Sequence, residues 1–246
     1  MTDWARLRDA YGSAEGLPAV IESLSAPSQA TRESAVHSLW GSLCHQGTVY
    51  TASVAAVPLL AEVVRTSSDP AVQGHLLSML GSIASAWTHA DDSDEWAPQI
   101  PYRLLPTDRR EGQDPVDLSE RCRNAVAAEC PTLTRARDTD ARWFRVTLLA
   151  LAAAVGDAAP IFALSTVSGV ADDPDSRVAA AARLVSRLAE EPASISMAEV
   201  EAAAALDEET AAYLMSAYDW PPAALATEVA GELASRAILK DWPDWG

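Results

Sequence analysis

The sequence has few of the residues that build disulfides, tight turns or redox motifs. Among 246 residues there are 11 glycines and 3 cysteines, and lysine occurs once against seventeen arginines, a bias typical of high-GC bacterial genes. The cysteines, Cys44, Cys122 and Cys130, are odd in number and show no Cys-x-x-Cys spacing, which argues against a disulfide framework. We therefore expect three small core residues in a reducing compartment.

Long apolar segments are also missing. The longest Ala- and Leu-rich run ends at Asp157, and the first residues, Met1-Thr2-Asp3-Trp4, contain no apolar signal-peptide core. A membrane-spanning helix needs about 20 apolar residues, and a secretory leader needs an apolar core near the start. The sequence therefore predicts a cytoplasmic protein with no membrane partner.

The abundant residues of this sequence favour helices. Hydrophobic residues make up 49% of the chain, and Ala-rich blocks such as Leu148–Ala154 and Ala179–Ala182 recur, whereas strand-type alternation is scarce. Alanine and leucine are strong helix formers. The fold class predicted is all-α.

An internal repeat specifies the architecture further. Residues 14–45 align with 54–85 at an offset of 40, which places Pro18 on Pro58 and Gly41 on Gly81. A period of about 40 residues is a signature of stacked helical hairpins, because one hairpin cannot bury its own apolar stripe. We expect a single elongated domain over residues 1–246.

Capping residues give the boundaries of the hairpins. Ser28 is predicted to begin the second helix, Asp69-Pro70 and Asp173-Pro174 to begin later inner helices, and Pro58 to lie in the first turns of an outer helix. The prolines of residues 91–116 indicate an irregular insertion. The predicted segments are hairpins at about 14–45, 54–88, 117–155 and 158–190, and capping helices at 196–239.

These turns and helices resemble those of HEAT-like repeat proteins. The resemblance rests on the Asp-Pro turns at Asp69 and Asp173 and on the inner-helix segment Arg177–Leu184, and it covers most of residues 14–190. It implies an α-solenoid whose inner helices form a continuous binding surface, usually for another protein.

The net charge of −17 is uneven. Acidic residues outnumber basic residues by 11 to 4 in residues 1–100 and by 16 to 5 in 146–246, while 101–145 has 8 acidic and 9 basic residues. A negative field repels phosphate backbones and accelerates association with a basic partner. A surface that serves only solubility is the alternative.

The polar loop after the first hairpin is one candidate binding site. It contains His45, Gln46, Thr48 and Tyr50, and Gly47 is suited to the left-handed conformation that follows a helix end. These side chains either contact a ligand at the edge of the groove or cap and pack the hairpins.

The central region is a second candidate. Its arginines predict either a recess for a carboxylate, phosphate or acidic peptide, completed by the 91–116 loop, or internal ion pairs such as Arg142 with Asp138. Its acidic cluster lacks the glycine and final glutamate of a calcium loop. The candidate residues in the insertion are Asp91, Asp92, Asp94, Arg103, Arg109 and Arg110.

The tryptophans give two packing predictions. Trp40, Trp87 and Trp143 fall on apolar faces of predicted inner helices, which favours core positions. Trp242 and Trp245 lie beside Pro and Asp at the chain end, and we expect this tail to dock back onto the last repeat.

No motif identifies chemistry. No His or Cys pair has zinc-site spacing, so we expect no metal and no cofactor. Enzymatic activity stays open. The leading hypothesis is a non-enzymatic scaffold, such as an immunity or adaptor protein, whose acidic groove holds a basic protein partner. The alternatives are an enzyme or small-molecule binder with a pocket between the 45–50 loop, the 91–116 loop and the central arginines, and a DNA-mimic inhibitor.

Overall fold

A computed structural model describes residues 2–86, 115–134, 141–216 and 220–243. Within these ranges the chain is helical apart from two strands of two residues each, which confirms the all-α prediction. The fold divides into two compact units, of which the first ends at Glu129 and the second begins at Cys130.

The first unit has a small amino-terminal β-hairpin followed by helices. Its described elements are a 3-10 turn at Trp4–Arg6, β1 (Arg8–Asp9), β2 (Gly12–Ser13), α1 (Leu17–Ser23), α2 (Gln29–Leu43), a 3-10 turn at His45–Gly47, α3 (Thr51–Thr66) and α4 (Pro70–Ser85). Helix α5 (Pro115–Leu133) continues across the unit boundary. The strands pair antiparallel, with Arg8 opposite Ser13.

The second unit consists of helices of unequal length. Its described elements are α6 (Arg142–Val155), a 3-10 turn at Gly156–Ala158, α7 (Pro160–Gly169), α8 (Ser176–Glu190), a 3-10 turn at Pro192–Ser194, α9 (Met197–Ala204), α10 (Glu208–Ser216) and α11 (Pro222–Ala237). The helices predicted from the sequence lie within a few residues of these bounds.

Predicted capping segments lie at the starts of α2, α4 and α8. The Ser28 hydroxyl accepts the amide of Thr31, and the Asp69 carboxylate accepts the amide of Ala71 at 2.9 Å. At the third such start Asp175 is the cap, while Asp173 accepts the Asp175 amide at 3.0 Å. Each carboxylate or hydroxyl satisfies amides that a helix leaves unbonded at its first turn.

Large aliphatic side chains fill the core of the first unit. Helix α2 packs against α1 and α4, and α3 packs against α4. Leu39, Leu60 and Leu76 are fully buried. Cys44 and Cys122 are also buried, as predicted, and burial raises the pKa of Cys44 and raises that of Cys122 to about 12. These thiols are therefore protonated packing residues at neutral pH.

In the second unit the last helix closes the core. Helix α11 packs along both α6 and α8, and its Leu225, Val229 and Leu233 are fully buried. Helix α7 packs against the same two helices. The third cysteine, Cys130, is buried as predicted. None of the helices in the described ranges is long and apolar enough to cross a membrane.

Two local predictions were wrong, and one element was missed. Helix α3 begins at Thr51, so Pro58 lies inside the helix and not in its first turns. Helix α5 begins at Pro115, inside the segment predicted as an insertion, because proline is well accepted at a helix start. The amino-terminal β-hairpin was not predicted at all, since two-residue strands carry no periodic signal.

The tryptophan predictions had mixed outcomes. Trp40 and Trp143 are half-buried and do not belong to the core, because part of each indole ring reaches the surface. Trp242 packs on Trp143 of α6 with ring centroids 6.5 Å apart, so this part of the tail docks on the third predicted hairpin and not on the last repeat. Trp87 and Trp245 lie outside the described residues.

Replacement of Gln73 by leucine tests the buried polar contacts of the first unit. Gln73 is fully buried, and its amide nitrogen donates to the carbonyls of Val64 at 3.0 Å and Ser67 at 3.2 Å. Gln73→Leu leaves both carbonyls without this donor, so we expect a loss of about 2 kcal/mol in the free energy of unfolding. Urea denaturation measures it, and the exposed Gln29→Leu is the control. Equal stability of both variants would contradict the role of Gln73.

Candidate functional site

The predicted loop after α2 forms a compact turn. Gly47 has φ of +82°, the left-handed conformation predicted for it. The Thr48 amide donates to the His45 carbonyl at 3.0 Å, and both side chains are half-buried. Gln46 lies within the same 3-10 turn, and its side chain is outside the described part of the structure. The loop is therefore tightly wound, with His45 and Thr48 partly accessible.

Tyr50 has a different position from its neighbours in this loop. It is only 3% exposed, and its amide donates to the Ser53 hydroxyl at 2.9 Å, which in turn donates to the Leu43 carbonyl at 2.7 Å. The backbone of Tyr50 thus begins α3 and joins it to the end of α2. The ring packs in the core and is not displayed at the surface.

The structure adds a partner for His45 that sequence reasoning missed. Tyr11, at the turn between β1 and β2, meets the His45 ring edge to face, with centroids 5.8 Å apart. The hairpin is anchored there by the Ala10 amide, which donates to the Ser42 carbonyl at 3.1 Å. The local signs of this turn are Asp9, whose carboxylate accepts the Tyr11 amide at 2.9 Å, and Gly12, which has φ of +132°.

The other candidate residues of the sequence prediction fall elsewhere. Asp91, Asp92, Asp94, Arg103, Arg109 and Arg110 all lie outside the described residues, as does Asp138, the predicted partner of Arg142. In the described ranges no group of three or more His, Cys, Asp or Glu side chains is arranged to hold a metal ion.

Arg142 is at the centre of the most extensive polar arrangement. Its guanidinium donates to both carboxylate oxygens of Asp173, at 2.8 and 3.1 Å. It also donates to the Asp241 carboxylate at 2.7 Å and to the Ala237 carbonyl at 3.0 Å. One side chain thereby joins the start of α6, the turn before α8 and the segment after α11.

The same arrangement continues along the second unit. Arg177 bonds to the carboxylate of Asp175 at 3.0 and 2.7 Å and lies 3.6 Å from Asp207. Arg236 lies 3.3 Å from Asp207 and also bonds to Glu209. Guanidinium and carboxylate groups therefore alternate from Arg142 to Arg236. Each charge in the series is largely balanced by its neighbours.

These side chains border a pocket of about 650 Å³. Arg142, Asp175, Arg177 and Arg236 line one part of it, and Lys240 and Asp241 lie on the segment after α11 that lines the rest. Because each of these arginines already has a carboxylate partner, an anionic ligand that binds them competes with a carboxylate such as Asp241, which is half exposed.

The ion pairs shift the pKa of the carboxylates involved. Burial by itself would raise the pKa of Asp173, but the hydrogen bonds from Arg142 and the Asp175 amide outweigh it and hold that pKa below its ordinary value. The hydrogen bond from Arg177 likewise lowers the pKa of Asp175, against a smaller effect of burial. These carboxylates are ionised at neutral pH.

No family model, curated protein or solved structure matches this chain. The site is therefore interpreted from its own residues.

Acid should weaken the second unit through these carboxylates. Because their folded pKa values are lowered, their stabilisation is fully present above about pH 4 and is lost as the pH falls through the folded values. Asp173→Asn should cost about 1–3 kcal/mol at pH 7, where the native carboxylate is ionised. Denaturation followed between pH 7 and pH 3 should show a shallower pH dependence for the variant than for the parent. Parallel curves of stability against pH for the parent and the variant would contradict the role of Asp173 in the acid sensitivity.

The two ends of the 45–50 loop should respond differently to truncation. Tyr50→Ala removes a buried ring and should destabilise the protein by about 3 kcal/mol. His45→Ala removes a half-buried ring with one edge-to-face contact, so a loss below about 1 kcal/mol is expected. Thermal melts of the two variants provide the comparison. A larger loss for His45→Ala than for Tyr50→Ala would overturn this reading of the loop.

Proposed function

We propose that this chain is a non-enzymatic binding protein, built from HEAT-like helical repeats, that recognises a basic protein partner through its acidic surface. An immunity or adaptor protein for a basic toxin or enzyme is the form of this function that the charge favours.

A repeated ion pair supports the repeat interpretation. Three times, an arginine in the first four residues of one helix reaches an aspartate at the start of the second helix further along. Arg32 of α2 bonds to Asp69 before α4, and Arg142 of α6 bonds to Asp173 before α8. Arg177 of α8 lies 3.6 Å from Asp207 before α10. The aspartate follows its arginine by 37, 31 and 30 residues, and one helix lies between the two paired helices in each case.

The binding proposal rests on the pairing of arginine side chains with carboxylates. The arginines within 4 Å of a carboxylate in the described residues include Arg32, Arg65, Arg142, Arg177, Arg187 and Arg236. Their charge is neutralised within the fold, while carboxylates such as Glu22, Glu190 and Glu191 are exposed. A partner therefore meets a predominantly negative surface, which favours basic proteins.

Among the described residues of the second unit, the last helix covers the faces of α6 and α8 that it contacts. Helix α11 packs along α6 and α8, and its apolar side chains are buried there. In this unit we therefore place the partner surface on exposed carboxylates of other faces. Four of these lie near the ends of α8 and α10 and in the turn before α8: Asp172, Glu190, Glu191 and Glu208.

A second candidate function is the binding of a small anionic molecule in the 650 Å³ pocket of the second unit. Arg142 and Arg236 border this pocket, and the half-exposed Asp241 is the carboxylate that a ligand carboxylate could replace. A small-molecule binder would therefore use this pocket of the second unit.

Capture of the partner at two salt concentrations tests the binding proposal. The tagged protein is incubated with lysate of its source organism at about 50 and about 300 mM salt, since screening weakens exposed charge pairs. We expect one stoichiometric basic protein that dissociates at high salt. The Glu190→Gln, Glu191→Gln, Glu208→Gln triple variant should retain the fold and bind more weakly.

The control is a variant with three exposed neutral residues replaced, Ser168→Gln, Ser176→Gln and Ala202→Gln, which should bind like the parent. Absence of any protein partner, or capture of an acidic protein that high salt does not release, would contradict the proposed function.

A further inference from the structure

The pocket of about 650 Å³ in the second unit is lined by cationic side chains from three parts of the fold. Arg142 lies at the start of α6, Arg236 in the last turn of α11, and Lys240 on the segment that follows α11. Lys240 is also the single lysine of the chain. What the pocket binds depends on which hydrogen-bond donors of these three groups the fold itself already uses.

Arg142 has one buried and one exposed carboxylate partner. The side chain of Asp173, which accepts from Nε and Nη2 of Arg142, is 7% exposed. The side chain of Asp241, which accepts from Nη1, is 50% exposed. Exposed ion pairs contribute little to stability. A carboxylate from outside can therefore replace Asp241 at Nη1, while the pair with Asp173 still holds the guanidinium in place.

Arg236 and Lys240 keep donors for a ligand. Arg236 contacts three carboxylates through Nε and Nη1, and among the described residues its Nη2 has no hydrogen-bond acceptor. Within the same part of the chain, Lys240 has no carboxylate partner. An ammonium carries three N–H donors and a guanidinium five. Both groups can therefore bind an anion without releasing a carboxylate of the protein.

These donors indicate the chemistry of the ligand. Asp241 shows that Nη1 of Arg142 accepts a carboxylate in this pocket. A second anionic group is needed for Arg236 and Lys240. Leu239, which is 67% exposed, and Pro174 also line the pocket, and apolar side chains suit a short methylene chain. A small molecule with a carboxylate at each end of such a chain has all of these features.

We propose that this pocket binds a small linear dicarboxylate, for which Asp241 is the internal competitor. One carboxylate of the ligand displaces Asp241 from Nη1 of Arg142, and the other accepts hydrogen bonds from Arg236 and Lys240. Because Asp241 occupies the Arg142 position until a ligand arrives, the apparent affinity is lower than the intrinsic affinity. This inference rests on the second candidate function, whose ligand class it names, and is independent of the protein-binding proposal.

Isothermal titration calorimetry of the full chain with acetate and with the linear dicarboxylates from malonate to adipate provides the test. We expect one dicarboxylate to bind about tenfold more tightly than acetate, because it makes a second set of charged hydrogen bonds. Lys240→Ala should weaken this binding about tenfold for the same reason. Asp241→Ala should strengthen it about fivefold, because the internal competitor is removed. Both replaced residues are exposed, so thermal melts should show both variants folded.

Glu191→Ala is the matched control for Asp241→Ala. It also removes one exposed carboxylate, but at the far end of α8, about 20 Å from the pocket residues at the start of that helix. It should bind the dicarboxylate like the parent, which separates the displacement of Asp241 from a general change in net charge.

Three results would contradict the inference. Equal affinity for acetate and for every dicarboxylate would overturn the two-carboxylate site and leave a pocket for single anions. Equal affinity of the Asp241→Ala variant and the parent would overturn the role of Asp241 as competitor. If neither the parent nor Asp241→Ala binds any of these anions, the second candidate function fails together with this inference, while capture of a basic protein would still support the leading proposal.

Discussion

The pairing of an arginine near the start of one helix with an aspartate at the start of a later helix is the interaction on which this fold depends. Arg142 shows it most fully, because its guanidinium bonds to Asp173, Asp241 and the Ala237 carbonyl. Each aspartate also bonds to backbone amides, as Asp69 does to the amide of Ala71. The same carboxylate therefore begins a helix and fixes its position against another helix.

This use of arginine has a consequence for the surface. Since the guanidinium groups of Arg32, Arg142, Arg177 and Arg236 are bonded to carboxylates inside each unit, they contribute little net charge outside it. The excess of acidic residues then lies at exposed positions such as Glu190 and Glu191. The proposed attraction of a basic partner would act over a distance of about 10 Å and would weaken at high salt.

Local signals in the sequence located most helices but not the contacts between them. Ser28 and Asp69 were recognisable as caps because a cap bonds within three residues of itself. The bond of Arg142 to Asp241 spans 99 residues, and nothing near either residue specifies it. Proximity in sequence favoured a pairing of Arg142 with Asp138 instead, and that aspartate lies outside the described residues.

The candidate site was predictable to a smaller extent. The left-handed Gly47 followed from its place after a helix. The burial of Tyr50 and the contact of His45 with Tyr11 depend on how the β-hairpin and α3 pack, which the loop residues do not encode by themselves.

Nitrogen-detected NMR of the arginine side chains at neutral pH tests the central claim most directly. If the guanidinium groups of Arg32, Arg142 and Arg177 are held by carboxylates, their Nε–H signals should be dispersed and exchange slowly with water. Each Nε–H signal should shift towards the free-arginine position when the carboxylate that accepts from that Nε–H is replaced, Asp69, Asp173 or Asp175 by asparagine. Signals that already coincide with free arginine in the parent protein would contradict the account.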